Sequence, residues 1–179
     1  MAAQVIIVAR VIMVGLVLDT DFNDHFMAIK ESLVEIDFED KEDIEIGKGK
    51  IVQKGQKIAV LAYGTIIEEA FKASKEIEEE FGFEITIADA RFAKPFDESL
   101  IKDLAKTHET LITIEEGVIG GFGSAVGNFL QNEGILDDGK LKFRSLFMKD
   151  EFFEQDDVAV LRKKAGISSD DIVKLVLSS

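Results

Sequence analysis

Short, largely apolar runs that pass straight into helical spacing limit what this chain can fold into. Ile58-Ala59-Val60-Leu61-Ala62, Ile85-Thr86-Ile87-Ala88 and Leu111-Ile112-Thr113-Ile114 are each too short for a helix. An apolar run without alternation marks a strand buried on both faces, as in a parallel sheet covered by helices. After the first run, Gly64 and Thr65 break the pattern. Ile67, Ala70, Phe71, Ser74, Ile77 and Phe81 then follow helical spacing up to Gly82, a C-cap residue, and Thr65 with Glu68 has the form of a capping box. Asp97 is placed to cap a second helix that aligns Leu100, Ile101, Leu104 and Ala105. A third helix aligns Phe122, Ala125, Val126, Phe129 and Leu130. Upstream, residues 44–52 read as a short strand or hairpin arm. Downstream, Gly139 precedes a strand over 142–147, and helices follow over 158–165 and 169–177, the latter opened by Ser168 with Asp171. Strands alternating with helices predict an α/β domain: three α/β/α layers around a mostly parallel sheet with right-handed crossovers.

Ligands of such open sheets gather at the carboxyl ends of the strands. Here those are the loops at residues 63–65, 89–96 and 115–124. The third, Glu115-Glu116-Gly117-Val118-Ile119-Gly120-Gly121-Phe122-Gly123-Ser124, is a strand-to-helix hinge whose glycines permit positive φ and close approach. Its spacing fits neither a dinucleotide fingerprint nor a P-loop. Two carboxylates stand where a phosphate would sit, and at about 4 Å and an effective dielectric near 20 each like-charge contact costs about 4 kcal/mol. A tight turn or close interface contact therefore accounts for the glycines better than a phosphate cradle. Asp89, Arg91 and Lys94 in the second loop put a cation within reach of Glu115 or Glu116, predicting a charge pair that fixes two loops. Acid-base catalysis by Glu115 and Glu116 together is disfavoured, since neighbours on a strand point to opposite faces. His108 reads as a helix C-terminal residue interacting with the dipole. No catalytic triad, zinc motif or calcium loop can be assembled, so no catalytic, cofactor-binding or metal-ligating residue is assigned.

The 115–124 segment resembles the EEGxxGGFGS segment in the C-terminal domain of 1-deoxy-D-xylulose-5-phosphate synthase, a thiamine-dependent enzyme of the transketolase superfamily. Ile46-Gly47-Lys48-Gly49-Lys50, with Gly55-Gln56-Lys57-Ile58-Ala59-Val60-Leu61 and Gly64-Thr65, is similar to the family's lead-in to that domain. Asp89-Ala90-Arg91-Phe92-Ala93-Lys94-Pro95-Phe96-Asp97 resembles its DxRFxKPLD segment. The resemblance runs from about residue 45 to the C-terminus. It implies a five-stranded sheet in the order 1-3-2-4-5 with strand 1 antiparallel, and a scaffolding and dimerising role. For the whole enzyme it implies thiamine diphosphate with magnesium and the condensation of pyruvate with glyceraldehyde 3-phosphate, in isoprenoid precursor synthesis. No cofactor is expected in this chain. The family's GDG-type cofactor motif and most of its middle domain have no counterpart here. Near residue 30, where that domain ends in a motif resembling RYPRG, Lys30-Glu31-Ser32-Leu33-Val34 supplies no arginine. The chain is expected to be inactive alone, with other domains or a companion chain as its partners. On the same resemblance Asp89, Arg91, Lys94, Glu115, Glu116, Gly120, Gly121, Phe122, Gly123 and Ser124 are interface or loop candidates.

Residues 1–44 divide from the domain as an N-terminal extension, a remnant or replacement of the middle domain plus an acidic linker over 31–45. Residues 5–18 are almost continuously apolar, but their β-branched content favours a buried strand over a membrane anchor. With 179 residues and 46% hydrophobic content, a core is assured. A net charge of -14 repels nucleic acid and anionic membrane. The absence of cysteine fits a reducing cytoplasm and removes thiol chemistry. A free-standing small-ligand module, or the C-terminal domain of another superfamily member, is the alternative.

Overall fold

A computed structural model describes residues 44–179. Expectations for the N-terminal extension and its apolar run lie outside the described residues.

Two of the three predicted apolar strands pair with each other inside the sheet. β2 (Ile58–Tyr63) and β4 (Thr110–Glu115) run parallel, with Val60 opposite Ile112 and Ala62 opposite Ile114. β3 (Thr86–Asp89) joins β2 on its other side, also parallel, with Ile87 opposite Val60. β5 (Lys142–Leu146) extends the sheet beyond β4 in parallel, and β1 (Lys50–Gln53) closes the opposite edge antiparallel to β3. The order is β1-β3-β2-β4-β5, as the resemblance implies.

Side chains of a strand alternate between faces, so the sheet sorts them into two cores. Val60, Ala62, Ile87, Ile112 and Ile114 meet α1 (Ile67–Phe81) and α5 (Ser169–Leu177), with Ala165 at the end of α4 (Val158–Ala165). Ala59, Leu61, Ala88 and Leu111 meet α2 (Glu98–Thr107) and α3 (Phe122–Asn132). This is the predicted three-layer arrangement. Among the described residues no helix is long and apolar enough to cross a membrane.

Several local expectations shift. Thr65 makes no side-chain cap on α1: the residue before the helix is Ile66, and Glu68 N–H bonds Thr65 C=O while the Thr65 hydroxyl donates to Glu116. The buried stripe of α1 is Ala70, Ala73, Ser74 and Ile77, leaving Phe71 and Phe81 more than two-fifths exposed. Ala73 is the residue the expected spacing skipped, and centring the stripe on it turns both phenylalanines outward. β1 is shorter than the 44–52 arm, since Lys48 N–H bonds Glu45 C=O in a turn before the strand begins. β5 stops at Leu146, one residue early. Other signals hold: Gly82 ends α1 in left-handed conformation, and Ser168 with Asp171 forms a capping box on α5.

Asp97 caps α2 and does more. Its carboxylate accepts from Leu100 N–H at 3.0 Å, Ser99 Oγ at 2.5 Å and Gly49 N–H at 3.2 Å, strapping the turn before β1 to the helix. Burial opposes its charge, but the bonds from Ser99, Leu100 and Gly49 and the nearby Lys48 outweigh it and hold the carboxyl below the ordinary value of 3.8. A lowered native pKa means stability that is present above the unfolded-state value and lost as pH falls through the native one. Asp97→Ala is expected to cost about 1 to 2 kcal/mol in urea unfolding at pH 7. The gap from wild type should narrow below pH 3.8. An equal gap at pH 3 and pH 7 would contradict the assignment.

Candidate functional site

Glu115 ends β4 and is only 5% exposed. Its carboxylate turns toward the start of α3, where Oε2 accepts from Phe122 N–H at 2.9 Å and Oε1 from Gly123 N–H at 2.8 Å. A helix begins with unpaired N–H groups and a partial positive charge, and this anion supplies both needs from another element. The carboxylate explains the glycines around it. A Cβ on Gly121 would lie 2.3 Å from Glu115 Oε2, and one on Gly117 2.6 Å from the same atom. Gly120 has φ 97°, a left-handed conformation costly for other residues, and its N–H bonds Ser124 Oγ at 2.9 Å. Gly123 sets α3 close on the sheet, against the hydroxyls of Thr113 and Ser145. The N–H groups that a phosphate would need at Phe122 and Gly123 are thus already bonded to a carboxylate.

Glu116 serves the opposite layer. Its Oε2 accepts from Thr65 Oγ1 at 2.7 Å, and its Oε1 accepts from Arg162 Nε at 2.9 Å and Nη2 at 2.7 Å. Arg162 also donates to Thr65 Oγ1 at 3.2 Å and Glu69 Oε1 at 3.4 Å. Glu69, 5% exposed, completes its shell with Lys72 Nζ at 2.6 Å and Ser169 N–H at 2.9 Å, the latter at the start of α5. Burial works against both charges. The Glu116 bonds, reinforced by Glu69 and Glu68, raise the Arg162 pKa, while Lys72, Ser169 N–H and Arg162 lower that of Glu69.

The contacts described for the two glutamates come from outside the second loop. Glu115 is held by helix N–H groups, and the guanidinium on Glu116 comes from α4, which no loop-proximity argument pointed to. Arg162 sits in an Arg-Lys-Lys run that reads as solvated surface, and its importance is purely tertiary. One signal was available: Glu69 falls on the buried stripe of α1 beside Ala70, where a carboxylate must have a partner.

In the second loop, Asp89 Oδ1 accepts from Arg91 N–H at 2.9 Å, and Arg91 takes a left-handed φ of 56°. Arg91, Lys94, Glu115, Gly120, Gly121, Phe122 and Ser124 line one open cleft of about 720 Å³, with Tyr63 packed on Phe122 at a ring separation of 5.2 Å. Seven of the ten candidates are thus brought together. Asp89 shapes the loop from beneath, Gly123 faces the sheet, and Glu116 points to the other layer. His108 lies elsewhere, with Nδ1 3.0 Å from Leu104 C=O and Nε2 2.8 Å from Thr86 Oγ1. A carbonyl can only accept, so Nδ1 carries the proton, and the ring joins a helix end to β3 as the dipole reading expects.

Glu115→Ala strands two buried N–H groups and should cost about 3 kcal/mol. Gly121→Ala should cost about 1 to 3 kcal/mol through overpacking. Its three nearest obstructing atoms all belong to Glu115, so the penalty should fall below about 1 kcal/mol in the Glu115→Ala background. Chemical denaturation of the four proteins checks this, and strictly additive costs would contradict it.

With this geometry in hand, comparison with known proteins places the chain. Residues 47–172 match the family "Transketolase, C-terminal domain". Among solved structures, a split gene transketolase described as an inactive β4 tetramer superimposes with a TM-score of 0.66 at 29% identity. The match covers 77% of this chain and 43% of that one, so the present chain spans less than half of the neighbour's length. The family match takes in most of the sequence and the whole five-stranded sheet, and the chain belongs to the transketolase C-terminal domain family.

Proposed function

We propose that this chain is the C-terminal scaffolding and dimerisation domain of a 1-deoxy-D-xylulose-5-phosphate synthase-like enzyme of the cytoplasm. The enzyme would condense pyruvate with glyceraldehyde 3-phosphate in isoprenoid precursor synthesis. Other domains, on the same or a companion chain, would bring the thiamine chemistry. One observation carries this reading: the polar atoms of the EEG segment are spent inside the fold. Glu115 is occupied by helix N–H groups and Glu116 by Arg162 and Thr65, so neither is placed as an acid, base or phosphate ligand. What the loop offers outward is apolar, with Val118 43% and Ile119 66% exposed.

On this reading thiamine diphosphate and magnesium would be held by the other domains; among the described residues no group of three histidine, aspartate or glutamate side chains is arranged to hold a metal ion. The split gene transketolase that the chain resembles assembles as an inactive tetramer, and self-association without turnover is the property we carry over. The choice of 1-deoxy-D-xylulose-5-phosphate synthase within the superfamily is supported by the GGFGS and RFxKP segments.

The cleft at the strand ends favours a second reading, a small-ligand module using Arg91 and Lys94. Against anions there, Glu115 already neutralises the start of α3.

Purified chain on a sizing column with light scattering should run as a dimer or larger at micromolar concentration. Val118→Asp with Ile119→Asp should weaken that association at least tenfold. A strict monomer at high concentration would overturn the scaffold reading, and a melting-temperature rise with sugar phosphates would favour the ligand module.

A further inference from the structure

Helix α4 is unusual among the helices of this domain because its own apolar burial is slight. Only Ala165 is buried, while Val158 and Val160 are 59% and 40% exposed. Gly166, left-handed at φ 79°, follows it as a pivot before Ile167 re-enters the core. The most buried tie of α4 is Arg162, whose side chain is 11% exposed, while Lys163 and Lys164 pair with Asp170 and Asp156 nearer the surface. The Arg162 guanidinium lies among three carboxylates, those of Glu116, Glu69 and Glu68, the last at 3.7 Å.

These contacts reach loops that are far apart in sequence. Through Glu116, Arg162 holds the segment between β4 and α3, and through Thr65 it holds the turn between β2 and α1. A second tie joins the same segment to the chain leading toward α4, because Met148 N–H donates to Gly117 C=O at 2.8 Å. Without the cation, Glu116 would keep only the Thr65 hydroxyl, and Glu69 only Lys72 and Ser169 N–H, and nothing charged would tie α4 to these loops. A helix held by charge rather than by apolar area belongs to the low-stability end of a fold, where local opening occurs ahead of global unfolding.

We propose that α4 is a charge-held latch: Arg162 makes α4 and the 115–121 loop one cooperative unit, so that release of the helix loosens the apolar Val118 and Ile119 tip. The inference does not depend on which reaction the parent enzyme performs. It concerns how an interaction surface is held in shape by a helix on the other side of the sheet.

Native-state hydrogen exchange on the full chain tests it, comparing wild type with Arg162→Met and Glu116→Gln. The reporters are the amides of Leu161 in α4, Gly121, bonded to Val118 C=O, and Met148, bonded to Gly117 C=O. Arg162→Met should speed all three at least tenfold, with Val60 and Ile112 in the central strands unchanged. Glu116→Gln keeps the shape and removes the charge, and should move the same three amides in the same direction by a smaller factor. Faster exchange in α4 with Gly121 and Met148 at wild-type rates would overturn the coupling. Wild-type rates at all three would overturn the charge-held latch itself. If Arg162→Met fails to fold, Glu116→Gln decides alone: unchanged Leu161, Gly121 and Met148 rates in that variant refute the proposal.

Discussion

A carboxylate buried at the end of β4 sets the terms for everything around it. Removing an ionised group from water is costly unless hydrogen bonds replace the hydration, and Glu115 obtains two from the first turn of α3. The helix needs the same contact, since its leading N–H groups are otherwise unsatisfied. Each partner removes the other's penalty, which fixes the angle at which α3 leaves the strand. The room this requires is made by glycine: a Cβ at 117 or 121 would overlap the Glu115 side chain. The loop is thin because the charge beneath it needs the space, and the two residues with large side chains between those glycines, Val118 and Ile119, remain outside.

The neighbouring glutamate solves a different problem. With 35 acidic residues to 21 lysines and arginines, the structure places one arginine within reach of three carboxylates. Because Glu115 and Glu116 are adjacent and diverge, two consecutive residues organise both helical layers, one by capping α3 and the other by anchoring α4 to α1. The sheet between the layers is apolar and carries the mass of the core, whereas these two contacts decide how the strand-end loops are arranged upon it.

Much of the fold was legible because its determinants are local. Uninterrupted apolar runs identified β2 and β4, Asp97 announced α2, Gly82 lies where α1 stops, and the Ser168 and Asp171 pair opens α5. Strand order was not local, and it entered through resemblance. The site was legible only in part. The motif pointed to the correct loop and to a structural role for its glycines, but the partners of its two glutamates arrive from elsewhere: main-chain N–H groups, which no side-chain pattern displays, and Arg162, 46 residues downstream. Thr65 misled because its spacing to Glu68 satisfies a local rule, whereas in the fold Glu68 N–H bonds the Thr65 carbonyl and the hydroxyl donates to Glu116, 51 residues away.

A distinctive motif need not be a chemical one. In the EEG segment both acids have partners within the fold, Gly117 and Gly121 leave room for a carboxylate, Gly120 takes a left-handed turn and Gly123 lets α3 approach the sheet. Physical constraint of this kind is as demanding on sequence as catalysis is, since changing Glu115, Gly117 or Gly121 singly would leave an orphaned donor or a steric overlap. The residues that look most like a signature are therefore ones whose contacts set the shape of the strand-end loop.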